Sequence, residues 1–365
     1  MMKKYSKILA GLLLALTTLP GCFDEIQLDL PTSTDRKIVV EGYVNQSEEE
    51  MEVLITVGNS TSFDDEAGDV ELLPLETAYL IYNEVPFPQY PLTNNTLNRL
   101  SITDFEQVAP SSGAPVVQLF VRLADGRIYQ SARDTLPALP RIENIDVGTY
   151  TREIRNEQGI LLERDFLEIL LSTPLQRGDS EKALLRWEMT GVYRYVESPP
   201  PVSSTLDPQQ TCYLPDDLSG DEILLFNGRE TTETSLNRFP AIRNIPLNHF
   251  FASGYYITVL QQTLSPAAYQ YWDQLRQNAN PGGGLFDPTP GTVTGNIQNI
   301  ENAEETVLGF FYATQTDTIR RLIRPGELGN PQSYCANPSN YDQERCSECT
   351  VLSNSTLTKP DYWIE

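Results

Sequence analysis

Residues 183–195 read ALLRWEMTGVYRY. Along this stretch Leu185, Trp187, Met189 and Gly191 fall on one side of an extended chain, and Arg186, Glu188 and Thr190 on the other. A period of two is the mark of a strand with one face toward a core and one toward solvent. The same texture recurs outward in both directions. Toward the N-terminus lie KIVVEGYV (37–44), MEVLITV (51–57), TAYLIY (77–82) and PVVQLFVRL followed by ADGR and IYQSA (115–132). Toward the C-terminus lie DFLEILLS (165–172), EILLFN (222–227), YYITVLQQ (255–262), GTVTGNI (291–297) and ETVLGFFYAT (305–314). Short strands rich in β-branched and aromatic residues, bounded by polar turns, predict a mainly β protein. Asp125-Gly126 predicts a hairpin turn of type I′, with positive φ at both residues.

DTLPALPRIENI (134–145) carries two prolines and reads as a crossing between domains. The expected organisation is two β-sandwich domains of immunoglobulin or fibronectin type: an N-terminal one over 37–138 and a larger β-rich one over 139–365. One short helix interrupts the second, in LSPAAYQYWDQLRQN (264–278). Ser265 is its N-cap and Pro266 suits its first turn. Leu264 and Tyr269 are placed as a hydrophobic staple, and Ala268, Trp272 and Leu275 share the face expected to pack on a sheet. ESPPPVSSTLDPQQ (197–210) is a proline-rich loop.

The chain has 365 residues and a formal charge of −24, from 26 Lys+Arg against 50 Asp+Glu. A field of that sign repels phosphate backbones and excludes nucleic acid as a partner, while favouring cations. A single histidine, His249, excludes multi-histidine metal sites and leaves room for at most one Ser/His/Asp triad. It sits among aromatic residues and reads as a packing residue. No nucleophile elbow, phosphate loop, dinucleotide fingerprint or zinc-protease motif is present, so no catalytic residue and no cofactor are assigned. The acidic loop around Asp64, Asp65 and Asp69 offers hard oxygen ligands of the kind calcium takes, but its spacing matches no EF-hand; it reads as a solvated loop, as does PDDLSGDE (215–222). Trp187 and Trp272 are expected in the core. Trp363, near the C-terminus, suits either a docked tail or contact with a partner.

At the N-terminus Lys3, Lys4 and Lys7 precede an apolar run of about a dozen residues, too short to span a bilayer. LPGC at 19–22 resembles the lipobox of bacterial lipoproteins. On that resemblance residues 1–21 are a signal peptide, Cys22 carries the acyl chains, and 22–36 is a tether; two or more chains anchor a protein stably in a membrane. Asp24 and Glu25 resemble the acidic export signal of Bacteroidota surface lipoproteins. With Cys22 set apart, Cys212, Cys335, Cys346 and Cys349 remain, an even number in a compartment that permits disulfides. Two bridges stapling the C-terminal segment are expected, with all three connectivities open; a zinc site or a redox CSEC pair are the other readings. Asp134-Thr135-Leu136 and Asp317-Thr318-Ile319 resemble an Asp-Thr-aliphatic O-glycosylation pattern, which makes Thr135 and Thr318 candidate modification sites.

Taken in order, KIVVEGYVN, LADGRIYQSARDTLPALPRI, ALLRWEMTGVYRY, YYITVLQQTLSPAAYQYWDQL, GGGLFDPTPGTVTGNI, VLGFFYAT, CSEC and TKPDYW are similar to an uncharacterised Bacteroidota lipoprotein family known by a domain-of-unknown-function label. The resemblance implies a β-rich outer-membrane lipoprotein, which the export-signal likeness of Asp24 and Glu25 would place facing the cell exterior. It also implies a role beside SusC-like TonB-dependent transporters, as an accessory or ligand-capture subunit. An adhesion or glycan-binding lipoprotein without a transporter is the alternative, and a carboxylate-based secreted hydrolase the third reading.

Overall fold

The computed structural model describes residues 36–46, 51–60, 71–86, 98–102, 113–178, 180–198, 209–220, 222–279, 293–336 and 342–364. The mainly β expectation holds. Before the proline-rich crossing run β1 (Ile38–Gln46), β2 (Met51–Asn59), β3 (Glu71–Leu72), β4 (Leu75–Tyr82), β5 (Val85–Pro86), β6 (Asn98–Ile102), β7 (Val116–Leu123), β8 (Ile128–Ser131) and β9 (Asp134–Thr135). After it come β10 (Asn144–Arg155), β11 (Leu161–Pro174), β12 (Leu184–Val196), β13 (Thr211–Asp217), β14 (Leu224–Asn227), β15 (Ser235–Pro246), β16 (Tyr255–Leu264), β17 (Ile297–Asn299) and β18 (Phe311–Ile323). Among the described residues the α-helices are α1 (Pro266–Ala279) and the short α2 (Gln343–Ser347).

One nine-stranded sheet runs through both halves, in the order β13-β12-β16-β18-β1-β2-β3, with β14 on β12 and β6 on β2. Its seam is the parallel pairing of β1 with β18, from Gly42↔Phe311 to Asn45↔Thr314. Beyond Thr314, β18 pairs antiparallel with β16 as far as Ile323↔Tyr255. A single strand thus serves the N-terminal half with one end and the C-terminal half with the other. Gly42 sits at this seam because a Cβ there would lie 2.2 Å from the Leu54 carbonyl oxygen.

Two smaller sheets cover one face of the long sheet. The six-stranded sheet, β17-β8-β7-β4-β5 with β9, closes a core in which Val40, Val53 and Ile55 meet Leu80, Leu119 and Tyr129. The three-stranded sheet β10-β11-β15 closes a second core, where Leu185, Trp187 and Ile257 meet Ile145, Leu167 and Ile169. Alternation in β12 is as expected, and Gly191 is required: a Cβ there would lie 1.9 Å from the Tyr255 hydroxyl, which crosses to donate to Asp216 at 2.6 Å.

The crossing segment is bound down along its length. Leu136 enters the first core and Ile142 the second. Pro140 O accepts from Gln261 Nε2 at 2.7 Å, and Gln261 Oε1 accepts from the Trp187 indole at 2.8 Å. Ile142 N donates to Asp317 Oδ2, and Ala313 N to Asp134 Oδ2. Cys212–Cys349 and Cys335–Cys346 are the disulfides, all four sulfurs lying in the second core. The tail then covers the β13 edge through paired backbone bonds between Tyr213 and Thr356, which removes an open strand edge from solvent.

Three sequence expectations change. The turn at Asp125-Gly126 has positive φ at Gly126 only (94°); the Asp125 carboxylate instead accepts from the Arg127 backbone and guanidinium, and Gly126 N closes on Leu123 O. Of the predicted strand 291–297, residues 291–292 lie outside the described residues, and of 293–297 Ile297 alone lies in a strand, the short β17. In 305–314 the strand begins at Phe311, because Gly309 takes φ 94°, and it continues through nine residues beyond the predicted end.

Burial pushes the Asp134 pKa above its ordinary 3.8, against bonds from Ser265, Ala313 and Thr135 that pull it down. A raised folded-state pKa gives stability that is full below the unfolded value and lost as pH rises through the folded one. Asp134→Asn should be destabilised at all pH values, since its amide turns a donor toward Ala313 N–H. Urea titrations from pH 3 upward should show the gap to wild type narrowing as pH rises; a widening gap would contradict the assignment.

Candidate functional site

The two covering sheets leave the opposite face of the long sheet free, and α1 packs there. Ser265 Oγ accepts from Ala268 N at 3.1 Å, starting the helix as expected. Ala268, Tyr269, Trp272 and Leu275 then rest on Leu184, Leu264 and Tyr312 of the sheet and on Phe310 just before β18. Beside this contact, between the helix and the β1–β18 seam, opens a cleft of about 390 Å3.

Its aromatic wall forms from residues on alternate sides of the seam. Tyr43 of β1 and Tyr312 of β18 are register partners with ring centroids 5.8 Å apart. Trp272 meets Tyr312 edge-on at 6.2 Å, and Tyr271 stacks on Phe310 at 4.5 Å. Leu54 and Thr56 of β2 line the cleft on the β1 side, Leu260 and Gln262 of β16 on the other.

The polar wall centres on Arg186. Its side chain is 13% exposed and its guanidinium lies 3.9 Å from the centroid of the Trp272 ring. It donates to Gln262 Oε1 at 2.6 Å and pairs with Glu188 at 2.6 Å. Its Nε is shielded from solvent and has no hydrogen-bond partner. A cation over an indole face gains electrostatic attraction that desolvation strengthens. Glu41 of β1 lines the same cleft and is exposed. Burial first, and the charge of Glu41 second, push the Tyr271 pKa up to about 12. Burial likewise raises the Tyr312 pKa, so both phenols stay neutral and act as hydrogen-bonding aromatic walls.

Sequence reasoning put Arg186 and Glu188 on the outward side of β12, which is correct. It expected that side to face solvent, and α1 covers Arg186 instead. Trp272 packs on the sheet as expected, with one face given to Arg186. Glu41, Tyr43 and Tyr312 were not singled out; the signal was the repeated placing of large side chains on the outward positions of β1 and β18. Trp187 is buried in the second core. Trp363 docks the tail, edge-on to Tyr213 at 5.0 Å and beside Tyr256. His249 packs against Phe250 and Tyr334, and burial lowers its pKa.

Thr135 and Thr318 are both exposed, while the aspartates before them accept backbone N–H groups. The structure thus brings neither threonine to the cleft wall. Cys22, Asp24, Glu25 and the calcium candidates Asp64, Asp65 and Asp69 lie outside the described residues, as does most of the loop 197–210. Among the described residues no three His, Cys, Asp or Glu side chains are grouped to hold a metal ion. No helix among them is long and apolar enough to cross a membrane.

The family model for a domain of unknown function, DUF4249, matches residues 24–320. The chain belongs to the DUF4249 family. The match spans the first core, the seam and every residue of the cleft wall, and stops within β18, short of Ile323 and the tail residues of the second core. No curated protein and no solved structure matches this DUF4249 chain.

A double-mutant cycle with Arg186→Met and Trp272→Leu should give a coupling energy of about 0.5–2 kcal/mol in urea unfolding, the range of a partly desolvated cation–aromatic pair. Additive effects would show that the stacked geometry contributes nothing.

Proposed function

We propose that this protein is a lipid-anchored outer-membrane receptor that captures a small ligand, and that it acts by binding rather than catalysis, as the accessory subunit of a β-barrel TonB-dependent transporter. The observation that carries the capture reading is the cleft at the β1–β18 seam. It is walled by aromatic rings, carries fixed polar groups on one side, and is set on a rigid sheet, which is the usual make-up of a small-molecule site. Its strongest cation is held by an indole, an amide and a carboxylate within the protein, so the wall is shaped before any ligand arrives. A preformed wall lowers the ordering penalty of binding.

Anchoring is supported by the lipobox-like LPGC at 19–22, and outward display by Asp24 and Glu25. Acyl chains confine a protein to two dimensions and raise its effective concentration beside a membrane partner. The transporter is supported by the family resemblance. The disulfides of the second core suit an oxidising compartment.

Metabolic labelling with a tagged fatty acid should mark the wild-type protein and leave Cys22→Ala unlabelled and soluble. Mild-detergent purification of the labelled protein should recover a large β-barrel with it. A labelled protein that purifies alone would retire the transporter role, and an unlabelled wild type would retire the anchor.

A further inference from the structure

We infer that the cleft takes an organic cation: an ammonium or amidinium group carried on a flat or apolar body. The inference rests on the capture reading above and specifies its ligand class. Three ionised side chains line the cleft, the carboxylates of Glu41 and Glu188 against the guanidinium of Arg186. Arg186 is neutralised within the protein, by Glu188 at 2.6 Å, and its Nε is closed off from solvent beneath the indole. That leaves Glu41, on the β1 wall, with no cationic partner among the described residues. Its charge reaches Tyr271 at the helix side of the same cleft.

The aromatic groups favour the same ligand. The Trp272 ring takes the Arg186 guanidinium on one face at 3.9 Å, which shows that a ring of this wall holds positive charge. Tyr43, half-buried next to Glu41, offers a second ring. An anionic ligand would meet two carboxylates inside a chain of charge −24, and a neutral one could give Glu41 a hydrogen bond but no compensating charge. An ammonium group between Glu41 and the rings satisfies the unpaired carboxylate and uses the faces together. The apolar body then lies along Leu54 and Leu275, which line the cleft on either side.

The test uses four probes against the whole mature protein by titration calorimetry. Phenethylammonium, 2-phenylethanol and phenylacetate share a ring and differ in head-group charge; maltotriose supplies a neutral sugar. Phenethylammonium should bind about fivefold tighter than 2-phenylethanol, the order of one partly exposed ion pair, with phenylacetate weakest. Glu41→Gln, an exposed position whose fold is checked by circular dichroism, should bring phenethylammonium to within about twofold of the alcohol on the same ground. Equal binding of the first two probes, preference for phenylacetate, or an unchanged Glu41→Gln would overturn the cation. Preference for maltotriose would overturn it too, while leaving the cleft as a capture site. If none of the four binds, both the ligand class and the capture reading fall.

Discussion

The parallel pairing of β1 with β18 is the constraint on which the rest of the structure depends. Parallel neighbours need a long connection, and here the connection is most of the protein: β1 begins at Ile38 and its partner at Phe311. Everything between must fold so that β18 returns to the first strand. β18 then contributes Phe311 and Ala313 to the first core and Ile323 to the second. The two cores are therefore layered like sandwiches but share one sheet. The crossing segment reinforces the join, since Asp134 and Asp317 each fix a backbone N–H from the other half of the chain.

The cleft follows from the same seam. Two covering sheets use one face of the long sheet, so side chains on the other face need a separate cover. α1 supplies it over Leu184, Leu264 and Tyr312, and the tail supplies it over Tyr213 and Tyr256. The helix does not reach across β1, and the uncovered step between them is the cleft. Its walls come from β1, β2, β12, β16, β18 and α1, residues far apart in sequence and set by a rigid sheet. Such a wall moves little when a ligand enters, which suits recognition by shape and charge.

Much of this was legible before the structure. β12 was read residue by residue because its alternation is clean, and α1 because Ser265 and Pro266 mark its start. β15 was not read: Pro240, the positive φ of Arg238 and Asn244, and register shifts along its pairing with β11 break the period of two. The second half of β18, QTDTIRRLI, was missed because it is polar on the open face and carries few core residues. The shared sheet was also beyond reach, because a period of two names a strand's faces and not its neighbour. The two prolines of 134–145 marked the crossing, but not that backbone bonds and buried side chains such as Leu136 and Ile142 would hold it down. For the site, the sequence placed Arg186 and Glu188 outward and Trp272 on the sheet, but no local pattern could bring Glu41 to them across the seam.

A shared strand makes one cooperative unit of two cores. Hydrogen exchange followed through urea unfolding tests that claim most directly, by comparing peptides from β2 and β7 in the first core with peptides from β12 and β16 in the second. With the seam intact, all four should lose protection at one urea concentration, together with the cleft residues Tyr43 and Tyr312. Loss of one core while the other stays protected would contradict the account, since it would show two independent domains with no sheet held in common.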